Sequence, residues 1–316
     1  MKKLLGILLT MATMAALPGW LFGQSFRIVP LGVKGGIDEG NLSAYMVAAA
    51  GSDRYVCLDA GSLHDGIEKA IENHVFMIPA ERVLREYIKG YIISHAHLDH
   101  VAGLIINSPD DTAKNIYGLA SCLETIKTHY FTWDSWANFA DEGDKPQLNK
   151  YHYQALAPGD ITAIQNTGLT VEIFPLSHSN LTSAAFLVGS KGAFILYLGD
   201  TGPDEVEKSR RLDSLWHAIA PLIKNKSLKA IMIETSFPDA QPDKSLYGHL
   251  TPRWLMEEMD QLAALTGRET LNGFNLIITH VKPPELSIEK IKAELKAENR
   301  LNFNLIFPEQ GKAIAL

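Results

Sequence analysis

Residues 94–104 read Ser-His-Ala-His-Leu-Asp-His-Val-Ala-Gly-Leu, and the six positions from His95 to His100 hold three histidines and an aspartate. This polar group follows the apolar Tyr91-Ile92-Ile93 and leads into a second apolar stretch, 101–106. A chain that buries both flanks must bring the hinge between them to the rim of its core. In an extended segment residues i and i+2 face the same side, so His95 and His97 converge on one point. Asp99 then stands where a helix N-terminus favours a carboxylate. A strand, a tight turn and a helix start therefore aim four ligand groups into one small space. Imidazole with carboxylate suits zinc, manganese or iron, and the lack of thiolate leaves the metal open. A lone His-x-His would be explained as well by a solvated histidine-rich loop. The full His-x-His-x-Asp-His, set between strand and helix, points to a metal centre.

The rest of the chain repeats the arrangement. Strand-like runs are expected at 26–33, 44–48, 55–58, 91–93, 171–176, 184–188, 194–198, 230–233 and 276–279. Helical patterns are expected at 65–73, 81–89, 212–223, 252–265 and 286–295, with loops and short helices over 133–153. Several strands are continuous apolar runs, which fits an α/β fold whose sheets are covered by helices. The apolar runs end in Leu58-Asp59, Ser177-His178, Gly199-Asp200, Glu234-Thr235 and Thr279-His280. Sites in such sheets collect at strand ends. One histidine past a strand is usually structural; several ends that agree with the motif support one another.

Of the 316 residues, 46% are hydrophobic, enough for one large core or two fused halves. A net charge of −7 without a long basic run argues against a nucleic acid polymer as partner and leaves room for a small anion held by metal. Lys2-Lys3, the apolar 4–16 and the break at Pro18-Gly19 read as a secretory signal peptide, 1–23, cleaved after Gly23. The expectation is an exported, periplasmic or secreted domain, 24–316, with no stable membrane insertion; an uncleaved anchor over 4–22 is the alternative. Cys57 and Cys122 lie in apolar elements and are expected as buried free thiols rather than metal ligands.

Asp59, the 95–100 motif, His178, Asp200 and His280, in that order, resemble the metallo-β-lactamase superfamily. The longer string HAHLDHVAGLIINSP, 95–109, is similar to the HxHLDHxxGLxxxSP signature of class II cyclic-nucleotide phosphodiesterases, with Asp110 where a small residue or proline is expected. Leu-Gly-Asp-Thr-Gly-Pro-Asp (198–204), Glu-Thr-Ser-Phe (234–237) and Gly-His-Leu-Thr-Pro (248–252) extend the resemblance over nearly all of 24–316. It implies a single-domain, four-layer αββα metallo-β-lactamase-like sandwich with the site at one edge, between the sheets. It implies two divalent metal ions, zinc foremost: one on His95, His97 and His178, the other on Asp99, His100 and His280. Asp200 and a water or hydroxide would bridge them. Seven N/O ligands suffice for two catalytic metals with open positions.

The activity implied is hydrolysis of a small-molecule 3′,5′-cyclic nucleotide, cAMP or also cGMP, to the 5′-nucleotide by the bridging hydroxide, with Asp99 steering its proton. Asp59 would orient the ligand loop or cap a turn; both readings stay open. His249 is the candidate general acid, its imidazole held by Glu234, as in the related tRNase Z branch; phosphate contact is the alternative role. His64, His74, His129, His152 and His217 have no convergent partners. Trp133, Trp136 and Phe139 fit burial on a helix better than purine stacking. Another phosphodiester, a lactone or a β-lactam on the same scaffold, and a non-catalytic metal- or nucleotide-binding protein, are the alternative functions. Homodimerisation is left open.

Overall fold

The computed structural model describes residues 23–316, so the expected signal peptide lies, apart from Gly23, outside the described residues. The first half carries β1 (Phe26–Gly32), β2 (Ala44–Ala49), β3 (Tyr55–Leu58), β4 (Ile88–Ile92), β5 (Lys114–Gly118) and β6 (Tyr151–Ala155). Helices α1 (His64–Glu72), α2 (Ala80–Arg82), α3 (Leu98–Asn107) and α4 (Ala120–Thr125) lie between these strands. The second half carries β7 (Thr162–Ile164), β8 (Leu169–His178), β9 (Leu181–Ser190), β10 (Ala193–Leu198), β11 (Leu228–Glu234), β12 (Asn275–Thr279), β13 (Asn304–Ile306) and β14 (Ile314–Ala315). Its helices are α5 (Asp204–Glu207), α6 (Arg211–Lys224), α7 (Pro252–Thr266), α8 (Arg268–Leu271) and α9 (Glu285–Glu298).

Two seven-stranded sheets result, ordered β14-β1-β2-β3-β4-β5-β6 and β13-β12-β11-β10-β9-β8-β7. Their inner faces share one core, and helices cover the outer faces, which is the four-layer αββα arrangement expected. The period-2 alternation of β10 assigns the layers. Ile195 and Tyr197 enter the core between the sheets, whereas Leu196 and Leu198 pack outward with Trp216 of α6 and Leu255 of α7.

Several expectations need correction. The helix expected over 81–89 stops at Arg82 and passes through a wide π-type turn (Val83–Tyr87), because Ile88 already pairs with Tyr55 in the first sheet. No helix carries Trp133, Trp136 and Phe139. That segment is a loop pinned by polar contacts: Trp136 Nε1 donates to Ser108 Oγ (3.0 Å), and Asn138 Nδ2 donates to Glu142 O (2.8 Å) and Asp144 O (2.7 Å). β8 and β9 run well beyond the expected apolar segments. Cross-strand pairing carries Ser177, Thr182 and Ser183 into the ladder as far as His178↔Leu181. Among the described residues, no helix is long and apolar enough to cross a membrane.

Candidate metal centre

The residues singled out above meet at one end of the sandwich, where β3, β4, β8, β10, β11 and β12 all end. After β4, Ser94 and His95 stay buried and the chain turns at His97 into α3, whose first turn holds Asp99 and His100. Three groups of donor atoms each fall within 4.8 Å: His95, His97, His178 and Asp200; Asp99, His100 and His280; and Asp200, His249 and His280. The first two groups are the expected ligand sets, and Asp200 lies between them, 3.3 Å from His100 Nε2 and 3.4 Å from His280 Nε2.

Each imidazole is oriented from behind. His100 Nδ1 donates to Asp59 (2.7 Å), His178 Nδ1 to the Gly248 carbonyl (2.8 Å) and His280 Nδ1 to Ser236 Oγ (3.0 Å). Ser94 Oγ accepts from His95 Nδ1 (3.0 Å) and donates to Asp59 (2.8 Å). These bonds leave Nε2 of all four rings aimed at the cluster, whereas His97 presents Nδ1, 3.0 Å from His95 Nε2 and 3.3 Å from His178 Nε2. This is how metal-ligating histidines are fixed. Asp59 is fully buried and also accepts from Ser94 N (2.7 Å) and from the Tyr197 hydroxyl (2.6 Å). Its carboxylate thus supports the loop of His95 and the ring of His100.

The donor set fits divalent cations. His100 Nε2 and Asp200 Oδ1 are buried, face each other and have no hydrogen-bond partner, a costly arrangement unless a cation sits between such bases. Burial pushes His95 well below the usual imidazole value and His178 down to about 4, so both are neutral donors near pH 7. Burial opposes ionisation of Asp200 and Asp99, yet the surrounding imidazoles outweigh it and hold both carboxyls well below their usual range. Burial also opposes charge on His100, but Asp200 and Asp59 raise it well above the usual value.

Beside the cluster, His249 precedes α7, whose start is fixed by Pro252 and the Thr251 cap. Its Nδ1 donates to Glu234 Oε1 at 2.7 Å. Glu234 is fully buried and also accepts from Thr201 N (3.0 Å) and Ser236 Oγ (2.6 Å). Burial and the neighbouring Asp200 push Glu234 up to about 7, and burial pushes His249 down to about 4. Lys282 Nζ lies 2.8 Å from His249 Nε2. With both nitrogens engaged, His249 is poorly placed as a ligand, although it falls in the third group of donors.

Two contributors escaped the sequence reading. Gly35 and Gly36 form a loop over the Asp99 side, where Gly36 N donates to Asp99 Oδ2 (2.9 Å). A Cβ on Gly35 would lie 2.1 Å from His280 Cε1, so only glycine fits against that ring. The Gly-Gly pair soon after a strand was the available signal. Lys282 is the other, two residues past His280 and so on the same side of an extended chain. His64, His74, His129, His152 and His217 lie outside the cluster, and Cys57 and Cys122 are buried and free.

Comparison with known proteins gives consistent results. The model for class-II cAMP phosphodiesterases matches residues 26–311. The chain is 44% identical over 305 residues to a 3′,5′-cyclic-nucleotide phosphodiesterase of Aliivibrio fischeri, covering 92% of each chain. It is 39% identical over 302 residues to a probable 3′,5′-cyclic-nucleotide phosphodiesterase of Yersinia pestis, covering 91% of this chain and 88% of the other. Among solved structures, unliganded yeast PDE1 superposes with a TM-score of 0.79 at 21% identity, over 93% of this chain and 100% of that one. The metallo-β-lactamase fold protein YhfI of Bacillus subtilis gives 0.61 at 17% identity, over 92% and 100%.

Proposed function

The chain belongs to the class-II cAMP phosphodiesterase family, and from that premise we propose how its residues hydrolyse a 3′,5′-cyclic nucleotide to the 5′-nucleotide. The observation that carries the reading is the pair of ligand sets sharing Asp200, with Glu234 and His249 beside them. His95, His97 and His178 would hold one divalent cation, Asp99, His100 and His280 the other, and Asp200 both; the metal in our reading is zinc. When bound, the cations supply Lewis-acid stabilisation of the phosphoryl oxygens and make water acidic enough to attack near neutral pH.

The protein's own groups do the rest. Asp59, Ser94, Ser236 and the Gly248 carbonyl keep the imidazoles in the tautomers whose Nε2 lone pairs face the shared cluster. Asp99, held by Gly36 N, has a lone pair left to accept a proton from the attacking water. The departing 3′-oxygen is a basic alkoxide and needs a proton. His249 is our choice of donor: Glu234 holds Nδ1–H, stabilises a charged ring and directs Nε2 toward the site. The basic, apolar N-terminal 1–23 supports export to the periplasm or beyond, which N-terminal sequencing of the mature protein would test against an intact Met1.

The deciding assay is turnover of 3′,5′-cAMP by residues 24–316, before and after chelation and zinc restoration. The expected outcome is 5′-AMP formation that disappears and returns with zinc. A fully metallated protein that cleaves a cephalosporin or a lactone but no cyclic nucleotide would overturn the reading.

A further inference from the structure

Lys282 stands two residues past His280, which the end of β12 delivers, with only Val281 between them, and Pro283-Pro284 follow before α9. Proline fixes φ and Lys282 N donates to Ser236 O (3.4 Å), so the short connection holds the lysine backbone against the site. Its ammonium reaches back over the Phe237 ring, 5.1 Å from the centroid, to His249 Nε2 at 2.8 Å. Among the described residues no carboxylate pairs with it. Elsewhere lysines do find carboxylates, on exposed helix faces as for Lys69 with Glu72 and Lys292 with Glu289, and in the core as for Lys114 with Asp111.

A partly buried ammonium whose one side-chain hydrogen-bond partner among the described residues is a single imidazole nitrogen has unused donors, and it sits where negative charge is to be placed. A cyclic nucleotide phosphodiester is a monoanion with two non-bridging oxygens. We propose that Lys282 is the cationic contact of this site for one of those oxygens, an anion-binding residue beside the ligand sets. The inference rests on the function proposed above. A charge-assisted bond to phosphate is roughly twice as strong as a neutral one, so arriving substrate draws Nζ away from His249. Nε2, freed of the lysine, can then take up a proton from solvent and pass it to the departing 3′-oxygen. Lys282 thus orients the phosphoryl group and uncovers His249 in one exchange of partners.

The test uses the zinc-loaded chain and its Lys282→Met and Lys282→Arg variants. Inorganic phosphate and 5′-AMP are titrated calorimetrically, with adenosine as the uncharged control and metal content measured alongside. With two metals retained, Lys282→Met should weaken phosphate and 5′-AMP by roughly 10–100-fold and leave adenosine unchanged. Lys282→Arg should recover most of the loss. KM for cAMP should rise in the Met variant, and the ratio of rates for the Rp and Sp phosphorothioates should change, since sulfur replaces one non-bridging oxygen at a time. Unchanged phosphate affinity in metallated Lys282→Met overturns the proposal. So does equal weakening of adenosine and 5′-AMP, or a phosphate affinity that falls only in proportion to lost metal. A wild-type protein that binds phosphate through Lys282 yet cleaves no cyclic nucleotide would sink the proposed function and leave this contact standing.

Discussion

Asp59 gathers four donors onto one buried carboxylate without itself belonging to either ligand set. Asp59→Ala would strand Ser94, His100 and the Tyr197 hydroxyl without their acceptor, and such losses of metal-orienting partners typically cost about 10–100-fold in metal affinity. We therefore expect weaker zinc binding in a competition titration, with the fold retained by circular dichroism. His249→Ala should behave differently, losing about 10²–10⁴-fold in kcat with both metals still present by elemental analysis. Simultaneous loss of metal and activity would make His249 a ligand. The donor atoms were legible in the sequence because histidine and aspartate are scarce past apolar runs, and their spacing fixes their direction. Ser94, Ser236 and Tyr197 were not, since hydroxyl residues are common and only the fold shows what they face. Lys282 was missed because one lysine carries no pattern of its own.

At the scale of elements, the site is built from strand ends and turns that leave ordinary backbone conformations. Asp59, Ser179, Tyr247 and His280 all have positive φ, between 52° and 53°, although none is glycine. Residues held there cost of order 1–3 kcal/mol each, and they persist only where the surroundings over-determine them. Gly35 serves the same end by close approach. Gly35→Ala should displace the His280 ring and weaken the Asp99–His100–His280 set, so bound zinc measured after dialysis should fall from two toward one per chain. Retention of both would show that the loop yields more easily than the ring. The central strands were readable as continuous apolar runs. β5 and β6 were not, because Lys114, Asn115 and His152 read as surface residues. Tertiary pairing overrules that: Lys114 is buried against Asp111, which also accepts from the Tyr91 and Tyr151 hydroxyls.

Viewed whole, the molecule uses one plan twice. Each sheet has three antiparallel pairings followed by three parallel ones, and Asp59 and Asp200 follow the corresponding strands β3 and β10. No sequence repeat announced this. The two carboxylates stand differently, Asp200 within the group of facing donor atoms and Asp59 behind it. Convergence of the two halves on one charged cluster also sets how the molecule responds to acid. In the chelated protein, burial holds His95 well below 6.5 and His178 and His249 near 4, while His100 is raised. Between pH 6.5 and about 4 the unfolded chain carries protons on all four imidazoles, whereas the folded one carries them chiefly on His100 and on the Glu234 carboxyl, which offsets only part of the difference. Unfolding therefore takes up protons, and stability should fall as pH drops through that window. Thermal midpoints of the chelated protein across pH 4–8 check the sign, and zinc should raise the midpoint at neutral pH by mass action. The second sheet is assembled from consecutive strands, but the first borrows its outermost strand from the far end of the chain. β14 pairs with β1, and Leu316 exchanges backbone hydrogen bonds with Phe26. The edge of β1 therefore stays unpaired until β14, far along the chain, is in place. An open β1 edge is a ready template for another chain, so the closing strand also guards the molecule against edge-to-edge association.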